Sequence, residues 1–151
     1  METTDTNLVE NEPNIPDFIA DEEQLIRILF VPKHINIKSD NVTLKTYIFK
    51  PPVGSEDISV NRADYTTEDA CINQGLQMSR PPKNTFWGLA YVLVQDIRDL
   101  GFEVHYSPRP HNPAHADIKI GFVVKEGEPL PPNINFKITL LLEKVKAIPY
   151  E

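Results

Sequence analysis

The sequence has little cysteine and no long apolar run, and each shortage excludes a class of protein. Its one cysteine, Cys71, rules out an internal disulfide and is typical of a reducing compartment. The longest apolar run extends for only about ten residues from Phe86, against roughly 20 for a membrane-spanning helix. The opening stretch METTDTNLVENE lacks the basic and apolar pattern of a signal peptide. We therefore predict a cytoplasmic protein that does not enter a membrane.

Clusters of lysine and arginine are missing as well. Residues 1–24 hold eight of the 22 acids and no basic residue, which leaves fourteen acids and fifteen bases for the rest of the chain. The net charge of −7 therefore belongs to an acidic arm, whereas the body is close to neutral. Because the body lacks the basic footprint that neutralises phosphates, we do not expect nucleic acid as its partner.

Glycine-rich loops are the third absence. The six glycines form neither a G-x-G-x-x-G motif nor a Walker loop with its lysine. Ordinary ATP or dinucleotide binding thus has no support from the sequence, and no cofactor is predicted.

The length and composition predict a flexible arm and one domain. Residues 1–20 are polar and acidic with two prolines, a composition that cannot bury enough apolar surface to order itself. An idle tail is the interpretation that this composition favours, and docking of Ile15, Phe18 and Ile19 onto the body or onto a partner is the alternative. Residues 21–151 are long enough for a single α+β domain.

The stretch from Phe86 to Ile120 predicts the centre of a small, mostly antiparallel sheet of five or six strands. TFWGLAYVLV and FEVHYS are typical of strands, and QDIRDLG between them predicts a helical turn that Gly101 ends. HADIKI alternates as a further strand. Before this centre, the run Val42–Phe49 and the segment DISVNRA also favour strands.

Two helices are predicted. TTEDACINQGLQM indicates a short central helix that begins at Thr66 and ends near Gly75. INFKITLLLEKVKAI has helical apolar spacing, with Asn133 or Asn135 as its N-cap and Pro149 as its stop. We expect this C-terminal helix to pack on one face of the sheet.

The order of several segments resembles an uncharacterised family of short bacterial proteins. The segments are LIRILFVPKHI, FKPP, ISVNR, GLAYVLVQDIRDLGFEV and NPAHADI, within a resemblance that covers roughly residues 25–120. The family pattern has leucine before Ser-Val where this chain has Ile58, and often His-Pro where it has Val31-Pro32. The resemblance implies no established activity.

A proline loop supplies all four candidate binding residues. Ser107, Arg109, His111 and Asn112 lie in it, and we predict that they form a contact surface for another macromolecule. The spacing His111-x3-His115 is one that zinc accepts, but a second close pair of ligands is missing. We therefore predict no metal site.

An enzyme hypothesis rests on four dispersed residues. Arg27, Arg62, His105 and His115 suit a small enzyme or toxin that acts on a nucleotide or RNA. The arginines would hold phosphate and the histidines would transfer protons, in ADP-ribosyl transfer or phosphoester chemistry. However, His105-Tyr106-Ser107 is the only H-x-S motif, and two-histidine phosphoesterases need two.

The function that the sequence favours is a bacterial accessory or interaction protein that binds a protein partner. This hypothesis depends on the weakness of every catalytic set and on the two unusual segments, the acidic arm and the proline loop. A place in a defence or toxin–antitoxin operon fits both this hypothesis and the enzyme. The position of the four candidate catalytic side chains discriminates between the two, because an enzyme requires them in one cleft.

Overall fold

Eight strands and three α-helices follow one another in residues 14–151, the part of the chain that the computed structural model describes. The strands are β1 (Gln24–Val31), β2 (Ile35–Lys38), β3 (Asn41–Leu44), β4 (Asp57–Arg62), β5 (Thr85–Leu93), β6 (Glu103–Tyr106), β7 (His115–Lys119) and β8 (Lys146–Pro149). The helices are α1 (Glu68–Met78), α2 (Val94–Asp99) and α3 (Pro132–Leu142). Short 3-10 turns lie at Thr46–Phe49 and Ala63–Tyr65.

Six of the strands form one sheet in the order β6-β7-β4-β1-β5-β8, and all neighbours in it are antiparallel. Strands β2 and β3 form a separate antiparallel hairpin. The predicted α+β class, with its mostly antiparallel sheet, short central helix and C-terminal helix, is confirmed. The central segment also follows the prediction, and Gly101 ends α2 with a φ of 87°.

Apolar residues of the sheet enter two separate cores because successive strand residues point to opposite faces. In β1, Leu25 and Leu29 belong to the larger core, which includes Ile134, Ile138 and Leu141 of α3. Ile26 and Phe30 belong instead to a smaller core with Cys71 of α1. The sheet is therefore covered by α3 on one face and by α1 on the other.

The C-terminal helix is shorter than predicted. Helix α3 ends at Leu142, and the chain then turns into β8, which pairs with β5. Val145 and Ala147 both pack against the larger core, two residues apart, which is the period of a strand rather than of a helix. The predicted asparagine cap is also wrong, since Pro131 occupies the N-cap position and no side chain caps the helix.

The central helix differs from the prediction at both ends. Its N-cap is Thr67 and not Thr66, and the Thr67 hydroxyl accepts a hydrogen bond of 3.0 Å from the amide of Ala70. The helix does not end near Gly75 but continues to Met78. Gly75 is needed inside the helix because the ring of Phe86 fills the space that a Cβ would occupy.

The run Val42–Phe49 is a strand only in its first part. Strand β3 ends at Leu44, and a 3-10 turn over Thr46–Phe49 buries Ile48 and Phe49 completely in the larger core. The composition of the run is compatible with both the strand and the turn. A strand would point Ile48 and Phe49 to opposite faces, whereas the 3-10 turn buries both in the larger core.

No helix in residues 14–151 is long and apolar enough to cross a membrane.

Gly88 sets how closely the edge strand β8 approaches β5. A Cβ at this position would overlap the carbonyl oxygen of Ile148 and the Cα of Pro149. We expect Gly88→Ala to lower the free energy of unfolding by about 1 kcal/mol, because the crowding falls on an edge strand that can shift outward. Hydrogen exchange should show faster exchange at the amide of Tyr150, which donates to Trp87 at 2.8 Å. Unchanged exchange there would contradict this account.

Candidate ligand-binding cleft

The centre of the sheet is split between β1 and β4. The two strands share only two pairs of residues, Leu25 with Arg62 and Ile26 with Asn61. Beyond these pairs β1 continues along β5, whereas β4 stays paired with β7 down to Asp57. The strands therefore diverge, and a cleft opens between them.

Arg27 occupies this cleft. Its Nε donates to the carbonyl of Ile48 at 3.0 Å, and its Nη1 donates to the carbonyl of Ser59 at 3.1 Å. Within residues 14–151, Nη2 has no hydrogen-bond acceptor, and no carboxylate lies within 4 Å of the guanidinium. Burial lowers the pKa of Arg27 to about 10, so the side chain is a desolvated cation that stays charged at pH 7.

Two cavities meet at Arg27, Ser59 and Met78. The larger has a volume of about 780 Å³ and is lined by four cations, which are Arg27, Lys33, Lys50 and Lys125. It also contains the acids Asp57 and Glu128, but the Asp57 carboxylate is already paired with Lys119 at 2.6 Å. Burial and then the charge of Arg27 lower the pKa of Lys33. The larger cavity is therefore positive around Arg27.

The smaller cavity has a volume of about 330 Å³ and no acidic side chain in its lining. Arg27 lies at one side and Arg109 at another. The apolar part of the wall consists of Ile28, Phe30, Val60 and Met78. The polar part contains the amides of Asn61, Gln74 and Asn112, together with His111 and His115. Both volumes are within the range of about 300–1,000 Å³ that is usual for small-ligand sites.

The proline loop forms a fixed wall of the smaller cavity. Arg109 and Asn112 exchange both backbone hydrogen bonds, at 3.1 and 2.9 Å. The Asn112 amide nitrogen donates to Asn61 Oδ1 at 2.6 Å, and Asn61 in turn donates to Gln74 Oε1 at 3.0 Å. This chain of amides connects the loop to β4 and α1, so the loop residues are held in place against the cavity.

His115 joins the loop to β7. Its Nδ1 lies 3.0 Å from the carbonyl oxygen of Ser107 and 2.9 Å from the Ser107 hydroxyl. Burial lowers the pKa of His115, so the ring is neutral at pH 7, and Nδ1 carries the proton that the carbonyl accepts. The other nitrogen, Nε2, is buried, 4.0 Å from Asp117, with no hydrogen-bond partner within residues 14–151. That nitrogen is not exposed to the cavity.

Arg62 has a different environment, because it is fully buried and all three of its guanidinium nitrogens donate hydrogen bonds inside the fold. It makes two hydrogen bonds of 2.9 Å to the Glu23 carboxylate and donates to the carbonyls of Pro16 and Phe18. The rings of Tyr65 and Tyr106 lie 4.7 and 4.8 Å from its guanidinium carbon. Burial alone would raise the pKa of Glu23, but Arg62 and the Ala20 amide outweigh it and lower that pKa.

These bonds also fix part of the N-terminal segment. Residues 14–20, which the sequence assigned to the arm, lie against the sheet through Arg62, and Ile19 is buried in the larger core. Phe18 stays mostly exposed. Residues 1–13 of the predicted acidic arm lie outside the described part of the chain.

The structure thus brings together Arg27 and His115 from the four candidate catalytic residues. Arg62 is in neither cavity, and His105 is an exposed residue of β6 that contacts Glu103 at 2.6 Å. Of the four predicted binding residues, Arg109, His111 and Asn112 line the smaller cavity, and Ser107 lies behind it on His115.

Sequence reasoning missed the cations of the larger cavity and the helix wall of the smaller one. Lys33, Lys50 and Lys125 are far apart along the chain and form no local cluster. Gln74 and Met78 are four residues apart on α1, a spacing that places them on one helix face. That spacing was the one available indication of a polar and apolar wall.

No group of three or more histidine, cysteine, aspartate or glutamate side chains in the described residues could hold a metal ion. In comparisons with protein families, curated proteins and solved structures, none matched this chain. The resemblance to a family of short bacterial proteins therefore stays a prediction.

Proposed function

We propose that this chain is a binding protein whose cleft between β1 and β4 takes up an anionic group on Arg27. The observation that carries the proposal is the half-buried guanidinium of Arg27, which two carbonyls hold in place and no described carboxylate neutralises. A desolvated charge without a counterion costs free energy that a bound anion recovers. The Nη2 atom then supplies the donor for that anion.

The surrounding charges support the same ligand chemistry. Lys33, Lys50 and Lys125 lie in the same cavity as Arg27, and Arg109 lies in the adjoining one. Fixed cations in a cleft raise the local concentration of anions and accelerate their association. The net charge of the body is thus close to neutral although its cleft is locally positive.

Binding accounts for the geometry better than catalysis does. His115 is the candidate base that lines the cavity, but its unprotonated nitrogen is buried and lies beside Asp117. A general base has to come within hydrogen-bonding distance of the proton that it removes. His105, the other candidate, is in neither cavity.

Titration calorimetry with inorganic phosphate and pyrophosphate tests the proposal. We expect Arg27→Met to weaken binding by about 10-fold to 100-fold, because a charge-assisted hydrogen bond is worth roughly 1.5–3 kcal/mol. Lys125→Ala should weaken it less while leaving the fold intact, since this lysine makes no ion pair within the described residues. Arg98→Ala is the matched control, because Arg98 pairs with Asp21 outside both cavities. Failure of the wild type to bind either anion, or an equal loss in Arg98→Ala, would refute the proposal.

A protein partner that contacts the proline loop is the second candidate function. Pro108, Arg109, Pro110 and His111 are exposed on a loop whose closure is fixed by hydrogen bonds, so they present a constant surface. Co-purification from the native cell tests it, with Arg109→Ala compared to Arg98→Ala. A stoichiometric partner that only Arg109→Ala loses would support the loop as the contact.

A further inference from the structure

The two cavities that meet at Arg27 differ in chemistry. The larger one is positive, through Arg27, Lys33, Lys50 and Lys125. The smaller one combines an apolar wall with side-chain amides and has no acid in its lining. A ligand that fills both needs an anionic end and a partly apolar end that carries hydrogen-bonding groups, connected by a link that passes Arg27.

The smaller cavity has the properties of a site for an aromatic heterocycle. Phe30, Ile28 and Met78 supply apolar surface, and the Met78 thioether is suited to contact an aromatic ring. The oxygen of the Gln74 amide and the nitrogen of the Asn112 amide are both hydrogen-bonded to Asn61. Within the described residues, Gln74 Nε2 has no acceptor and Asn112 Oδ1 has no donor. One open donor and one open acceptor are what the hydrogen-bonding edge of a base requires.

We infer that the anionic ligand is a nucleoside phosphate. Its phosphate lies in the larger cavity on Arg27 and Lys33, and its base lies in the smaller cavity between Met78 and the amides of Gln74 and Asn112. This inference rests on the proposed function, since it takes Arg27 as the anion anchor. It adds the chemical class of the ligand and assigns the base to the smaller cavity.

Calorimetry with the full chain tests the inference by comparing ligands that share a phosphate. The panel contains the four ribonucleoside 5′-monophosphates, ribose 5-phosphate and inorganic phosphate. We expect at least one nucleotide to bind about 10-fold or more tightly than ribose 5-phosphate. Gln74→Ala should remove that advantage without changing the affinity for ribose 5-phosphate, because Gln74 lines the smaller cavity and not the larger one, and alanine suits a helix. Gln77→Ala is the matched control, because Gln77 is an exposed residue of the same helix outside both cavities.

The outcomes separate the two proposals. Equal affinity for ribose 5-phosphate and for every nucleotide overturns the inference but leaves the anion site standing. Binding of neither phosphate nor nucleotide overturns both. A tetranucleotide that binds more tightly than any mononucleotide supports the same base site and identifies the source as a single strand rather than a free nucleotide.

Discussion

Replacing Arg62 with methionine is expected to lower the free energy of unfolding by about 3–5 kcal/mol, a large part of the total stability of a domain of this size. The guanidinium is fully buried and binds both oxygens of Glu23. Methionine would leave that carboxylate buried without its partner, and it would also leave the carbonyls of Pro16 and Phe18 without a donor. Chemical denaturation measures the loss. Hydrogen exchange should show the release of residues 14–20.

Arg98 offers a matched control, because it too joins the N-terminal segment to the body through an ion pair, with Asp21. The side chains of Arg98 and Asp21 are 31% and 50% exposed, so solvent screens the pair, and Arg98→Met should cost less than about 1 kcal/mol. Adding Glu23→Gln to Arg62→Met should recover part of the loss, since glutamine keeps an acceptor for the Ala20 amide and removes the unpaired charge. Equal losses in the two single variants would show that the buried pair is not what anchors the segment.

Arg62 also illustrates what the sequence could and could not predict. The alternation of apolar residues in DISVNRA predicts the strand, and this part of the prediction is confirmed in β4. The partner of Arg62 is Glu23, separated from it by 39 residues, and no local pattern relates the two. Sequence reasoning took a lone arginine near a strand end for a phosphate ligand because such a ligand and a buried ion pair use the same residue type.

The fold was predictable where a segment has one dominant period. The strand from Thr85 and the turn that Gly101 ends were predicted correctly, since burial, composition and turn chemistry agree there. The C-terminal segment failed because its helical spacing continues to Val145, while packing against the core makes the last residues a strand. Tertiary contacts determine that boundary, and the local spacing of apolar residues does not predict them.

The cleft was predictable only in pieces. The sequence identified Arg27, His115 and most of the proline loop as candidates, and these residues do lie together. The sequence did not predict that β1 diverges from β4, because this divergence follows from the small number of residue pairs, two, that the strands share. The lysines of the larger cavity come from three separate loops and gather only after that divergence.

A buried histidine close to this cleft makes the stability depend on pH. His34 Nδ1 accepts a hydrogen bond of 3.0 Å from the amide of Phe30, and His34 is only 2% exposed. Burial, and then the charges of Arg27, Lys33 and Lys45, lower the pKa of His34 from 6.5 to about 3. The folded protein therefore keeps His34 neutral at a pH where the unfolded chain protonates it. His115 acts in the same direction, because burial lowers its pKa too.

The contribution of His34 to the free energy of unfolding should consequently change little above pH 6.5 and should fall as the pH drops below that value. One such group contributes about 1.4 kcal/mol per pH unit, or about 2 kcal/mol between pH 6.5 and 5, before most carboxylates titrate. His34→Asn keeps an acceptor for the Phe30 amide but cannot titrate, so it should reduce the slope by about one proton. Urea denaturation at several pH values measures that slope. If His34→Asn only weakened packing, it would lower the free energy of unfolding equally at every pH and leave the slope unchanged. An equal slope in the wild type and in His34→Asn would show that His34 is protonated in the folded protein.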